Sequence, residues 1–277
     1  MAAAAHEPEG SAAVLRGAKI IDLTCLISER SGLNHPNHPR APVIWQFQRH
    51  VLSQWLFAGR WKPPHIPPLY GGLPPEAGMY GQGHGVQSEQ AIIGTHMGTH
   101  LDSPLHFDDR SQEDISKIAL DRCWGEAIML DLRAACASKR AFSIPDLDAA
   151  ERASGHKVQP GHIVILHTGH SRKFGYGPNA SQDEWAKMTG MDYEAPQWFL
   201  EREVKLVGID SPSVDCDVIA AGHVNFLLRP WIGKEAILIV ENLVNLEHVQ
   251  TSRFFFIAFP LPIEGGSASP IRAVALV

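Results

Sequence analysis

Residues 94–109, GTHMGTHLDSPLHFDD, carry a dense group of potential metal ligands. Within eleven residues the segment holds His96, His100, Asp102 and His106. Imidazole nitrogen and carboxylate oxygen suit Zn2+, Mn2+ or Fe2+ better than Cu+. A single histidine is more often a surface or hydrogen-bonded residue than a ligand, but three beside an aspartate in one short segment favour a metal site.

The same segment is predicted to be extended. Gly94, Gly98 and the threonines disfavour a stable helix. In a strand, His100 and Asp102 lie two residues apart and point to one side. A turn at Gly98 then brings His96 back to complete a set of three ligands. Three protein ligands leave a metal position open for water, which distinguishes a catalytic site from a structural one.

The composition restricts the class of protein. The chain has 277 residues, 44% of them hydrophobic, and a formal net charge of -6. This apolar fraction excludes wholesale disorder, and the mild acidic balance argues against nucleic-acid binding. The four cysteines form no C-x-x-C pair, which fits a reducing compartment and argues against a thiolate zinc site. Because neither a secretory leader nor an apolar run of about 20 residues is found, we expect a cytoplasmic protein without a membrane partner.

Hydrophobic patterns predict a mixed α/β protein that is rich in strands. Helices are predicted at residues 144–154 and 195–202, and a third helix or a helix-like segment at residues 217–228. No glycine-rich phosphate loop is present, so no nucleotide cofactor is expected and no cofactor-binding residues are assigned. Strand-like runs lie at residues 18–27, 127–132, 162–167, 206–209, 236–240, 253–259 and 272–277.

A proline-rich insertion at about residues 34–87 interrupts this pattern. It carries many of the 20 prolines together with three tryptophans. Residues 46–58 are a candidate helix within it. Long loops that bear aromatic residues are usually functional, for example as a substrate lid or an arm that contacts a partner. With residues 1–17 as a mobile tail, the predicted organisation is one domain over residues 18–277.

The segment HMGTHLDSPLH at residues 96–106 resembles the H-x-G-T-H-x-D-x-P-x-H signature of the metal-dependent cyclase family, which includes kynurenine formamidases and isatin hydrolases. IIDLT near residue 20, VQPGHIVILHTGHS at 158–171 and VKLVGIDSPSVD at 204–215 are similar to further blocks of that family. The resemblance implies a single strand-rich α/β domain of the swivelling β/β/α cyclase type. It also implies a small-molecule substrate and a homodimer or higher homo-oligomer.

Carried over position by position, the resemblance implies His96, His100 and Asp102 as ligands of a divalent ion, Mn2+ or Zn2+. His106 is the implied catalytic acid/base. His223 and Glu241 are candidates for holding a second metal or for contacting substrate.

The implied reaction is the hydrolysis of an amide-type C–N bond in a small cyclic or aromatic amide, as in the isatin hydrolases. A divalent ion lowers the pKa of its water, and His106 passes the proton to the leaving nitrogen. Two alternatives remain open. One is formamidase-type hydrolysis of an arylformamide at a binuclear site, and the other is a noncatalytic small-molecule or metal-binding protein on the same scaffold.

Overall fold

The computed structural model describes residues 17–28, 43–48, 88–138, 141–174, 188–216 and 220–277. The chain divides into two units, one of residues 41–93 and one of the remaining residues. In the described part of the chain, the strands are β1 (Ile20–Asp22), β2 (Val43–Gln48), β3 (Ser88–Ile92), β4 (His100–Asp102), β5 (Trp124–Asp131), β6 (Ala141–Phe142), β7 (Ile163–His167), β8 (Gly190–Met191), β9 (Leu206–Ile209), β10 (Leu238–Glu241), β11 (Arg253–Ile257), β12 (Ala268–Pro270) and β13 (Val274–Leu276).

Five α-helices and several short 3-10 helices accompany these strands in the described residues. The α-helices are α1 (Arg133–Ser138), α2 (Ile144–Ser154), α3 (His170–Phe174), α4 (Pro196–Glu201) and α5 (Ala221–Leu227). The 3-10 helices are Pro104–His106, Ile115–Lys117, Leu120–Arg122, Arg229–Ile232 and Leu246–His248. No helix among the described residues is both long and apolar enough to cross a membrane.

The larger unit is built on one nine-stranded sheet in the order β1-β13-β11-β5-β7-β9-β10-β4-β12. The four central strands β5, β7, β9 and β10 are parallel, and the strands at both ends join them antiparallel. Parallel neighbours need crossover connections, and each of these three connections contains at least one helix. The smaller unit contributes the antiparallel pair β2 and β3.

Apolar side chains are buried on both faces of the sheet. In β5, Ala127 faces one cluster, while Ile128 and Leu130 face the other, as the two-residue period of a strand requires. The cluster that contains Ile128 and Leu130 also takes large side chains from α4 and α5, including Trp198 and Phe226. The cluster that contains Ala127 lies on the other face and joins strands from both ends of the sheet through Leu101, Phe254, Phe256 and Ala275. The sheet therefore curls around this second cluster.

The mixed α/β, strand-rich class is confirmed, and each predicted strand range overlaps an observed strand. Predicted helices 144–154 and 195–202 correspond to α2 and α4, while α5 covers the described end of the range 217–228. The predicted helix over residues 46–58 is wrong where it is described, because residues 46–48 belong to β2. The rest of that range lies outside the described residues, as do residues 1–16 and most of the proline-rich insertion. The organisation into a tail and one domain stays a prediction.

Candidate metal centre

Strand β4 carries two of the predicted ligands and confirms the extended backbone expected for this segment. It lies between β10 and β12, with His100 paired to Glu241 on one side and to Pro270 on the other. Both edges of β4 are occupied by neighbouring strands, and the side chains on its two faces are buried. His100 is 2% exposed and Asp102 is completely buried.

The turn before β4 brings the third predicted ligand to the strand. Gly98 has a φ of 66°, a conformation that favours glycine. The turn places His96 Nδ1 2.9 Å from Asp102 Oδ1. The other ring nitrogen, His96 Nε2, lies 2.9 Å from Ser267 Oγ, just before β12. The structure thus brings His96, His100 and Asp102 together, as the spacing predicts.

His100 is oriented so that one nitrogen points into the cluster. Its Nδ1 lies 2.9 Å from the carbonyl oxygen of Gly98, to which it donates. Its Nε2 lies 3.4 Å from Asp102 Oδ1 and 3.4 Å from Glu241 Oε2. Among the described residues, His100 Nε2 and both carboxylate oxygens of Asp102 are buried with no partner in hydrogen-bonding geometry. Burying polar atoms without hydrogen-bond partners destabilises the fold. Because these nitrogen and oxygen atoms are suitable ligands for a divalent cation, the residues present fit a metal.

The electrostatics of the cluster also favour a cation. Burial alone would lower the pKa of His100, but the carboxylates of Asp102 and Glu241 outweigh it and raise that pKa to about 9. Burial alone would raise the pKa of Asp102, but His100 and His96 hold it well below its usual range. The pocket therefore attracts positive charge, which protons or a metal ion can supply.

Two residues that are distant in sequence complete the cluster. His223, in α5, places Nε2 3.4 Å from Glu241 Oε1 and 3.6 Å from Asp102 Oδ2. Glu241, the last residue of β10, also accepts a hydrogen bond at Oε1 from the backbone N–H of Val214, at 2.9 Å. Hydrogen bonds and charges from Asp102, Asp215 and Glu241 overcome the effect of burial and raise the pKa of His223 to about 10. Both candidates for a second metal or for substrate contact thus lie beside Asp102.

His106 lies at the edge of the cluster rather than within it. It ends the 3-10 helix Pro104–His106, and its ring centroid is 4.1 Å from that of His96 and 5.6 Å from that of His223. Although part of the side chain reaches solvent, the protein packed around it lowers its pKa to about 4, against the opposing charge of Asp102. This environment favours the uncharged ring, which is the form that can accept a proton.

Among the described residues, two sets of potential ligand atoms are found, and Asp102 belongs to both. One set is His96, Asp102 and His106, and the other is His100, Asp102 and Glu241; within each set the atoms lie within 4.8 Å of one another. A shared carboxylate is compatible with one ion or with two.

Two polar neighbours of the cluster were not among the predicted residues. Ser267 contacts His96, and Asp215 lies 2.6 Å from His223 Nδ1. Asp215 falls within the block VKLVGIDSPSVD, but a lone aspartate in that block carries no metal-ligand spacing. Ser267 stands outside any motif.

The chain is similar to known proteins over much of its length. The family model described as "Putative cyclase" matches residues 21–216. This range includes the segment 96–106 and Asp215, while His223 and Glu241 lie beyond it. A kynurenine formamidase of Salinibacter ruber is 32% identical over 183 residues, which cover 66% of this chain and 76% of that protein. An isatin hydrolase of Roseibium aggregatum is 27% identical over 194 residues, covering 67% of this chain and 73% of that one.

Solved structures show the same fold. Isatin hydrolase A from Ralstonia solanacearum aligns over 100% of both chains with a TM-score of 0.70 and 21% identity. An isatin hydrolase bound to the product analogue thioisatinate covers 96% of this chain and 95% of its own, with a TM-score of 0.69 and 18% identity. The expected cyclase-type fold is confirmed.

Proposed function

Because the chain belongs to the putative cyclase family, we propose that it is a metal-dependent hydrolase that opens an amide-type C–N bond in a small cyclic or aromatic amide. The names of its relatives, kynurenine formamidase and isatin hydrolase, support an amide substrate of this size. The single observation that carries the proposal is the group of buried ligand atoms on His100 and Asp102 that have no partner in hydrogen-bonding geometry among the described residues. A noncatalytic metal-binding protein would also need these atoms, but it would not need an accessible histidine such as His106 beside them.

In this proposal His96, His100 and Asp102 hold the ion, and their nitrogen and oxygen atoms suit Zn2+ or Mn2+. A bound divalent cation supplies Lewis acidity to the substrate carbonyl and to water. His106 accepts a proton from the attacking water and delivers it to the leaving nitrogen as the C–N bond breaks. A cytoplasmic location stays a prediction from the cysteine pattern and the leader analysis, and a homodimeric or larger assembly stays a prediction from the family resemblance.

The first test is metal content. We expect near-stoichiometric divalent metal in freshly purified wild-type protein and its loss from His100→Ala, because this substitution removes a buried donor nitrogen. The exposed His248 provides the matched control, and His248→Ala should keep the metal. Elemental analysis measures the metal content of the three proteins. A His100→Ala protein with wild-type metal content would contradict the ligand assignment.

The second test concerns the acid/base role. His106→Ala should keep its metal, because the proposed ligands His96, His100 and Asp102 are unchanged. Hydrolysis should fall about 10²–10⁴-fold, the usual contribution of a general acid/base. Turnover and metal content are measured on the same preparation. Full activity in metal-loaded His106→Ala would show that the proton is carried by another group.

A second candidate is formamidase-type hydrolysis of an arylformamide with two metals. The contacts of His223 and Glu241 with Asp102 and His100 favour it, because they place further donor atoms around the shared carboxylate. Two equivalents of metal in the wild type and one in Glu241→Gln would support this arrangement. One equivalent in the wild type would reject it.

A further inference from the structure

Asp215 is a buried carboxylate to which the proposed reaction gives no role. It is 2% exposed. Its Oδ2 lies 2.6 Å from His223 Nδ1 and 3.2 Å from the backbone nitrogen of the same residue. Its Oδ1 accepts a hydrogen bond from the backbone N–H of Gly222.

The Asp215 contact determines what His223 offers to the cluster. An imidazole that donates its Nδ1 proton to a carboxylate keeps an electron pair on Nε2. That Nε2 faces Glu241 Oε1 at 3.4 Å and Asp102 Oδ2 at 3.6 Å. When the ring is neutral, three atoms that carry electron pairs are thereby directed at one another, and a cation stabilises this arrangement, either as a proton on Nε2 or as a metal ion.

We propose that Asp215 is a positioning residue that holds His223 with Nε2 directed at Asp102 and Glu241, and so makes His223 a ligand of a divalent cation. This inference rests on the proposed metal-dependent function. Carboxylates that accept the second proton of a metal-binding histidine commonly fix its tautomer and ring orientation.

Three further residues near Asp215 or His223 help to orient His223 and Glu241. The adjacent Val214 donates its backbone N–H to Glu241 Oε1, so neighbouring residues orient both His223 and Glu241. Gly222 leaves room for the carboxylate, because a Cβ there would lie only 3.0 Å from Asp215 Oδ1 and 2.9 Å from Met191 Sδ. Phe107 stacks on the His223 ring at a centroid distance of 4.8 Å and restrains its tilt.

The competing explanation is that Asp215 only caps helix α5. Its carboxylate accepts backbone N–H groups at the start of that helix, which by itself stabilises the fold. Asp146 is a matched control for capping alone, because its carboxylate accepts the N–H and the hydroxyl of Ser143 at the start of α2.

The experiment measures the affinity for Mn2+ by competition with a chelator in five proteins. These are the wild type, Asp215→Asn, His223→Ala, the double variant and Asp146→Asn. We expect Asp215→Asn to bind Mn2+ about 10–100-fold more weakly, the usual effect of losing such a partner. Asp146→Asn should bind as the wild type does. In the His223→Ala background, Asp215→Asn should cause no further loss, because it acts through His223.

Wild-type affinity in folded Asp215→Asn, or an equal further loss in the His223→Ala background, would overturn the inference. If Asp215→Asn does not fold, Asp215→Ser replaces it, since serine keeps an oxygen for the helix N–H groups. The same loss of affinity is expected there, and unchanged affinity would again overturn the inference. A wild-type protein that binds no divalent cation would refute the proposed function, whereas Mn2+ binding that is indifferent to Asp215 refutes only this inference.

Discussion

At the scale of single residues, the histidines of this protein differ in pKa because the groups around each ring differ. Two carboxylates raise the pKa of His100 to about 9 despite its burial, whereas the protein around His106 lowers the pKa of His106 to about 4. The segment at residues 96–106 predicted correctly that His96, His100 and Asp102 lie together. It contained no information on Ser267, which contacts His96 from 171 positions away. Contacts of this kind depend on strand order, which a local pattern does not encode.

A buried histidine away from the cluster predicts how stability depends on pH. Nδ1 of His170 forms a 3.1 Å hydrogen bond with Thr189 Oγ1. The other ring nitrogen, Nε2, is buried without a hydrogen-bond partner among the described residues. Burial, reinforced by Lys173, lowers its pKa to about 4. Because the folded pKa lies below the unfolded value of about 6.5, the unfolded state binds more protons, and stability is lost as pH falls from about 6.5 to about 4.

We therefore expect His170→Gln to reduce the sensitivity to acid. Between pH 7 and pH 4, the free energy of unfolding of the wild type should fall by up to about 3 kcal/mol more than that of the variant. Urea unfolding at several pH values measures the difference, with the exposed His248→Gln as a control. Parallel pH dependences of wild type and His170→Gln would show that this histidine does not carry the effect.

At the scale of elements, strands and helices with strong local patterns were predicted well. Residues 144–154 form α2, where Asp146 accepts from Ser143 at the start and Gly155 ends the helix with a φ of 75°. Both are local features that a sequence displays. The helix predicted at residues 46–58 is wrong at residues 46–48, because this part of the chain pairs with β3. Pairing with a partner about 40 residues away in the chain outweighs a weak local preference.

Two glycines make the packing between elements testable. A Cβ on Gly190 would lie 2.3 Å from the carbonyl carbon of Asp215, and one on Gly208 would lie 2.7 Å from Ile165 Cδ1. Overpacking against a movable side chain typically costs about 1–3 kcal/mol, which we expect for Gly208→Ala. Gly190→Ala should cost more, because backbone must shift. Urea midpoints measure both, and a Gly190→Ala protein as stable as Gly208→Ala would contradict this explanation.

At the scale of the whole molecule, the curled sheet assembles the site. Strand β4 lies between β10 and β12, so His100 meets Glu241 on one side. On the other side, His96, in the turn before β4, meets Ser267 next to β12. Local patterns predicted most of the larger strands but not this order, because antiparallel β4 joins a parallel run through pairings that are distant in the chain. The family resemblance was therefore needed to predict the type of fold, which the solved structures confirm.

The most direct measurement is turnover of isatin and N-formylkynurenine by the purified protein as isolated, after treatment with a chelator, and after restoration with Mn2+ or Zn2+. We predict hydrolysis of at least one of these amides, its loss on chelation, its return with metal, and a fall of about 10²–10⁴-fold in metal-loaded His106→Ala. Hydrolysis that persists without metal, or metal-loaded protein that hydrolyses neither amide, would contradict the proposal that this cluster is the centre of a metal-dependent hydrolase for such substrates.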